Sequence, residues 1–229
     1  MILIAGLVVT LAALVQGAVG YGMALVAVPL LALVDTALVP VPLLVLTAGH
    51  SLLAVLREGR HADWSGVGWA MLGRLPGTGL GVLAVVAMSQ RVFNLLIGIC
   101  VLIFVLLSLL TWRPLPQPRS LMVAGVASGA GGTAAGIGGP PIALLYQNAT
   151  GPRVRGTLAA YFALGSVTSI AALAAAGQVT GVTLVSAAKL APFLLSGPAR
   201  RVLDQGWTRH AVLTVAAASA GLLVGRTLL

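Results

Sequence analysis

The chain has 229 residues, 59% of them hydrophobic and 7% charged, and its mean hydropathy is +1.08. A water-soluble domain of this length cannot hide that much apolar surface, so the composition defines an integral membrane protein. Thirteen Lys and Arg against four Asp and Glu give a net charge of +9. Most of these bases sit in short loops beside apolar runs, where they set orientation in a bilayer rather than bind nucleic acid.

Apolar runs cover 2–34, 37–56, 64–88, 92–112, 120–148, 156–176, 179–199 and 207–229. Met1 is followed by no cationic n-region and no A-x-A-like site, so no cleaved signal peptide is expected. Six runs are near the ~20 residues of a spanning helix, but the first and fifth are too long. As one rod, residues 2–34 would reach about 50 Å against a hydrocarbon core of about 30 Å. The first run is broken at Gly17, Gly20 and Gly22, the fifth at Gly131-Gly132, Gly136, Gly138-Gly139 and Pro140-Pro141. Each is expected to form two arms meeting at a turn, 2–16 with 23–34 and 120–134 with 140–148. Backbone interrupted at membrane depth must line a protein-enclosed cavity, because lipid cannot satisfy its polar groups.

Charge placement separates two topologies. With eight crossings, Arg57, Arg60, Arg113, Arg119 and Arg226 share one face and Arg91, Arg153, Arg155, Arg200, Arg201 and Arg209 the other. That defines no orientation. If runs one and five instead return to the side they entered, one face collects nine of these arginines and the other keeps Arg91 and Arg226. The positive-inside rule favours this second arrangement, with both termini extracytoplasmic; eight plain crossings are the alternative. The expected fold is an all-α integral membrane protein of two inverted repeats, 1–115 and 116–229, each a broken, re-entrant hairpin plus three spanning helices. The proline-rich stretch 113–119 divides them. Sliding the chain by 116 positions pairs Gly20 with Gly136, Gly22 with Gly138, Gly49 with Gly165, Pro76 with Pro192 and Gly81 with Gly197.

Hydrophobic segments interrupted at corresponding places in two halves point to a transporter's midplane site. Glycine allows positive φ and close backbone approach at Gly20, Gly22, Gly136, Gly138 and Gly139, and Pro140 suits the first turn of a new helix. Helix N-termini facing one cavity would favour an anion. The alternative is that these glycines serve helix packing. Arg74 and Lys189 each lie about ten residues into a segment, beside the matched prolines, and no carboxylate lies within a segment to pair with them. A central base of this kind faces a cavity or a ligand, unless it snorkels to an interface. His50 is a candidate proton carrier for coupling, against the simpler role of a hydrogen-bonded helix contact. Ser51, Thr133, Ser166, Thr168 and Ser169 could ligate an oxyanion or bond back to their own helices.

The glycine strings follow no β-strand, so a dinucleotide fingerprint is rejected. No Walker motif, metal cluster or Ser/His/Asp set is visible. Cys100, the single cysteine, offers neither a disulfide nor a thiolate cluster. No enzyme activity, cofactor or metal is expected. The chain resembles the TauE/SafE family of sulfite exporters over essentially its full length. The likeness rests on Gly17-x-x-Gly20-x-Gly22 leading to Pro29, on Gly136-Ile-Gly-Gly-Pro-Pro141 leading to Leu145, and on Arg155 followed by Tyr161-Phe162. Met23 and Pro140 stand where the family commonly has a third glycine. The resemblance implies a bacterial inner-membrane carrier that moves sulfite, an organosulfonate or a similar small anion, driven by an ion gradient. The expected partners are that anion, membrane lipid and a coupling proton or cation, with no nucleic acid. A passive anion channel and a non-transporting membrane scaffold are the alternatives.

Overall fold

The computed structural model describes residues 2–19, 23–109, 114–194 and 205–228. Among them the chain forms α1 (Ile2–Val19), α2 (Met23–Val34), α3 (Val41–Glu58), α4 (Trp64–Ala87) and α5 (Gln90–Leu109). Then come α6 (Pro118–Ala135), α7 (Gly139–Tyr146), α8 (Gly151–Ala175), α9 (Gly181–Leu190) and α10 (Gln205–Leu228), with no strand among the described residues. Three stretches, Thr36–His61, Trp64–Ala87 and Gly151–Ala175, are long and apolar enough to cross a membrane. Leu7, Leu56, Leu83 and Val123 stand exposed on the helix surfaces, as side chains in contact with lipid would. The protein is a multi-pass, all-α membrane protein.

Both expected interruptions fall between helices. The first lies between α1 and α2, and residues 20–22, including Gly20 and Gly22, are outside the described residues. The second is built by Gly136, whose φ of 74° places it in the left-handed region that glycine enters without strain. Its N–H donates to the Gly132 carbonyl at 3.0 Å, and the Ile137 N–H donates to the Gly131 carbonyl at 3.0 Å. The carbonyls of Gly131 and Gly132, in the last turns of α6, are thereby satisfied. Pro140 and Pro141 then sit in the first turn of α7, where a missing N–H costs least.

After this turn the chain runs back. A continuous helix would carry Gly138 about 15 Å past Ser128. Instead, Ser128 Oγ donates to the Gly138 carbonyl. Further along, Ile142, Leu145 and Tyr146 share a buried cluster with Leu121 and Ala124 from the start of α6.

The end of α7 meets the α3–α4 junction. Tyr146 Oη donates to Asp63 Oδ2 at 3.1 Å, and Arg153 pairs with the same oxygen at 3.0 Å. Arg155 pairs with Glu58 at 2.7 Å, and the Asp63 N–H donates to Thr157 Oγ1 at 2.9 Å. Asp63 also caps α4 by accepting from the Gly66 N–H at 2.9 Å. Burial raises the Asp63 carboxyl, but the hydrogen bonds from Gly66, Arg153 and Tyr146 outweigh it and hold the group below its ordinary value. Arg57, Arg60, Arg153 and Arg155 are therefore gathered at one face of the bundle.

Three seams organise the rest. α4 and α6 run parallel, with Gly73 against the Met122 carbonyl, Gly77 against Val126 and Gly81 against Ala130. Gly125 and Gly129 answer from α6 against the carbonyls of Ala70 and Arg74. Glycine at every fourth position lets two backbones approach where any larger residue would hold them apart. α3 and α8 run antiparallel, with Gly156 at the Glu58 carbonyl and Leu173 beside Val41 and Leu44. α5 and α10 are also antiparallel: Arg91 donates to the carbonyls of Thr227 and Leu228 at 3.0 and 3.2 Å, capping the negative end of α10. One segment departs from expectation. The run 179–199 gives only the ten-residue α9 before a 3-10 turn, Ala191–Leu194, in which Pro192 removes a helical donor.

Candidate functional site

Arg74 lies mid-way along α4 and is 2% exposed, the one Lys or Arg buried among the described residues. The helix rotation that seats Gly73 and Gly77 on α6 turns Arg74 inward, between α6 and α8. Its Nη1 donates to Tyr161 Oη at 3.1 Å and, at a longer 3.4 Å, to Ser128 Oγ; its Nη2 donates to Ser169 Oγ at 3.1 Å. The guanidinium carbon stands 5.1 Å from the Tyr161 ring centroid. Nε has no partner. Among the described residues every group that touches this cation is neutral, and the ion pairs lie at the helix ends.

Glycines make the space for it. A Cβ at Gly165 would stand 2.6 Å from Nε, one at Gly132 3.0 Å from Nη2, and one at Gly138 3.4 Å from Nη1. A buried charge would ordinarily be paired. Here the fold spends three glycines on holding one without a counter-ion. Around it, Ser169 Oγ and Thr133 Oγ1 are 2.7 Å apart, and Thr78, one turn along α4, has a buried hydroxyl with no partner.

Gly138 also borders a small cavity of ≈ 20 Å³, space for about one water. Gln16 from α1, Ala24 and Leu25 from α2, Thr47 from α3, Phe162 from α8 and the whole turn 136–140 line it. The two interrupted segments thus arrive at one place. Thr47 is 8% exposed and its Oγ1 has no partner, while Gln16 Nε2 reaches Ser51 Oγ at 3.5 Å.

Of the residues singled out in the sequence, Gly136, Gly138, Gly139 and Pro140 line the cavity and Arg74 lies against Gly138. His50 is buried on α3, one turn beyond Thr47. Lys189 is not brought to Arg74: it is exposed on α9, and its neighbour Leu190, the true 116-position counterpart of Arg74, takes the buried place at 1% exposure. Pro140 supplies shape but no donor, since neither it nor Pro141 has an N–H. Thr168 bonds back to the Leu164 carbonyl at 2.6 Å. Gln16, Thr47, Thr78, Ser128 and Tyr161 are additions from the structure. In the sequence Tyr161 is marked only by the family likeness, and the trace of the others is helical spacing, as in Thr47–His50–Ser51 and Arg74–Thr78.

A buried, unpaired guanidinium beside a glycine-built turn suits an anion, and residues 5–223 match the family described as Sulfite exporter TauE/SafE. The chain belongs to this family. As a TauE/SafE member it is a membrane transport protein rather than an enzyme, and its family's cargo is a small anion. No curated protein and no solved structure matches the chain.

Proposed function

We propose that this TauE/SafE member is a secondary transporter that exports a small anion, sulfite or an organosulfonate, across the bacterial inner membrane by alternating access. The observation that carries the reading is Arg74, a buried cation whose contacts are all neutral, set against the turn at Gly138. A negative solute bound between Arg74 and the 136–140 turn would supply the missing counter-charge. Gln16, Thr47 and Thr78 would replace part of its hydration.

Several contacts support two inverted repeats, 1–115 and 116–229. Ile2 and Pro118 open α1 and α6, and Met23 and Gly139 open α2 and α7, each pair 116 apart. The Thr10 hydroxyl donates to the Phe193 carbonyl at 3.4 Å, and the residues 116 positions away, Val126 and Gly77, are likewise in contact. The corresponding helices α3 and α8 run antiparallel, as do α5 and α10, which suits halves of opposite orientation. The ion pairs of Asp63 and Glu58 favour a re-entrant α6–α7 hairpin, because eight crossings would separate Arg153 and Arg155 from Arg57 and Arg60. The shared face is then cytoplasmic and both termini are extracytoplasmic. In a Cys100→Ser background, Arg60→Cys and Arg153→Cys are expected to react with an impermeant maleimide from the same side of inverted vesicles. Labelling from opposite sides would restore eight crossings.

At the other face, a recess of ≈ 310 Å³ opens between residues such as Thr36, Val39, Met88, Gln90 and Gln178. Val41, Leu44 and Leu173 pack with Val82, Val85 and Ile170 beneath it. Leu44 is one turn from Thr47, so an apolar layer lies between the recess and the small cavity. Rocking of one half against the other would part this layer or the ion-paired face in turn, with His50 carrying a coupling proton. In proteoliposomes holding purified protein, an imposed pH gradient is expected to drive labelled sulfite against its own gradient. Flux that only follows the sulfite gradient and ignores pH would identify a passive channel instead.

A further inference from the structure

Resting on the anion-site reading above, we infer that the site is charge-matched to a monoanion and discriminates against dianions of similar size and shape. The inference comes from counting charge around Arg74. One guanidinium is the whole formal charge of the buried site among the described residues. Asp35, Glu58 and Asp63 lie at helix ends, and Lys189 is exposed on α9.

The backbone adds little to that count. At the 136–140 turn the negative end of α6 and the positive end of α7 lie side by side, so their dipoles offset each other. Pro140 and Pro141 bring no N–H, which leaves Gly138 and Gly139 as the first amides of α7. The remaining contacts are hydroxyls, on Ser128, Tyr161 and Ser169, with unpartnered ones on Thr47 and Thr78. Neutral donors can orient an oxyanion but cannot neutralise it. A monoanion on Arg74 closes to zero net charge, whereas a dianion leaves one uncompensated charge at low dielectric, which burial penalises steeply.

Sulfite makes the rule observable, because it passes from monoanion to dianion as pH rises through neutrality. Methanesulfonate is a monoanion and sulfate a dianion throughout that range. On the helices packed about the site, the titratable side chains are Tyr161 on α8 and His50 on α3, with Glu58 and Tyr146 at the far ends of α3 and α7, engaged with Arg155 and Asp63. A response of the protein itself would therefore appear with methanesulfonate as well. The experiment is competition against labelled sulfite flux in proteoliposomes at pH 6 and pH 8, paired with thermal unfolding of the detergent-solubilised protein in each anion at constant ionic strength. Methanesulfonate should compete and raise Tm equally at both pH values, and sulfate should do neither. The apparent affinity for sulfite should fall towards about tenfold per pH unit once the dianion dominates. Sulfate matching methanesulfonate, or sulfite affinity unmoved by pH, would overturn the inference. A Tm raised by methanesulfonate and not by sulfate, without any flux, would support the charge rule while removing the transport reading. Neither flux nor a Tm response to any of the three anions would remove both.

Discussion

Arg74→Gln is expected to abolish anion flux while leaving the protein folded, and in anion-free buffer at least as heat-stable as the wild type. The two halves of this result have one cause. In the proposed anion-bound state the guanidinium and its ligand would be a buried pair, and removing one partner of such a pair costs about 2–5 kcal/mol. That corresponds to roughly thirty-fold to a few thousand-fold in anion affinity. In the empty state the same guanidinium is an uncompensated charge that the fold carries at a loss. Ser128, Tyr161 and Ser169 each lose a donor, but Ser169 keeps Thr133 at 2.7 Å and Ser128 keeps the Gly138 carbonyl, and glutamine can supply a donor to Tyr161 Oη. Thermal unfolding with and without sulfite separates the states, since a ligand that binds only the folded form raises Tm with its concentration. The wild type should respond and the variant should not. Arg74→Lys keeps the charge but cannot span Ser128, Tyr161 and Ser169 with one ammonium, so weak, low-affinity flux is expected. Full flux in Arg74→Gln would show that the anion is held elsewhere.

The placement of Arg74 also bears on what the sequence could and could not disclose. The interruptions were legible because glycine and proline act locally: the Gly136 turn and the prolines opening α7 follow from backbone chemistry within a few residues. Arg74 was legible because a base in the middle of an apolar run has few places to go. Lys189 was misleading for a geometric reason. It stands one position out of the 116-residue register, and one position turns a side chain about 100° around a helix. Leu190 therefore points inward and Lys189 outward. The hydroxyls around Arg74 come from α4, α6 and α8, and which of them face each other depends on helix rotation set by packing. The sequence also left open whether glycine serves turns or packing. The structure gives both answers, for different residues: Gly136 makes a turn, while Gly73, Gly77, Gly81, Gly125 and Gly129 hold a seam.

That seam places the site, and breaking it should do more damage than removing the charge. In Gly77→Leu the new Cβ would overlap the Val126 carbonyl and stand 3.0 Å from the Ala130 backbone nitrogen. The obstacle is backbone on a neighbouring helix rather than a side chain that can swing aside, so α4 and α6 must separate along their length. Overpacking in a tight core costs about 1–3 kcal/mol, and more where the surroundings cannot yield. The separation would also draw Arg74 from Ser128 and loosen Gly81 from Ala130, whose carbonyl is 2.8 Å from a Cβ there. The expected outcome is loss of the monodisperse folded species in size-exclusion chromatography, with flux lost as a consequence. Gly79→Ala is the matched control. Gly79 lies on the same helix with nothing within 4 Å of its missing Cβ, and alanine suits a helix better than glycine by about 0.8–1.0 kcal/mol. It should therefore leave flux unchanged and Tm equal or higher. If Gly77→Leu and Gly79→Ala behave alike, the α4–α6 seam does not hold the two helices at the distance described, and the cradle around Arg74 must be secured by other contacts.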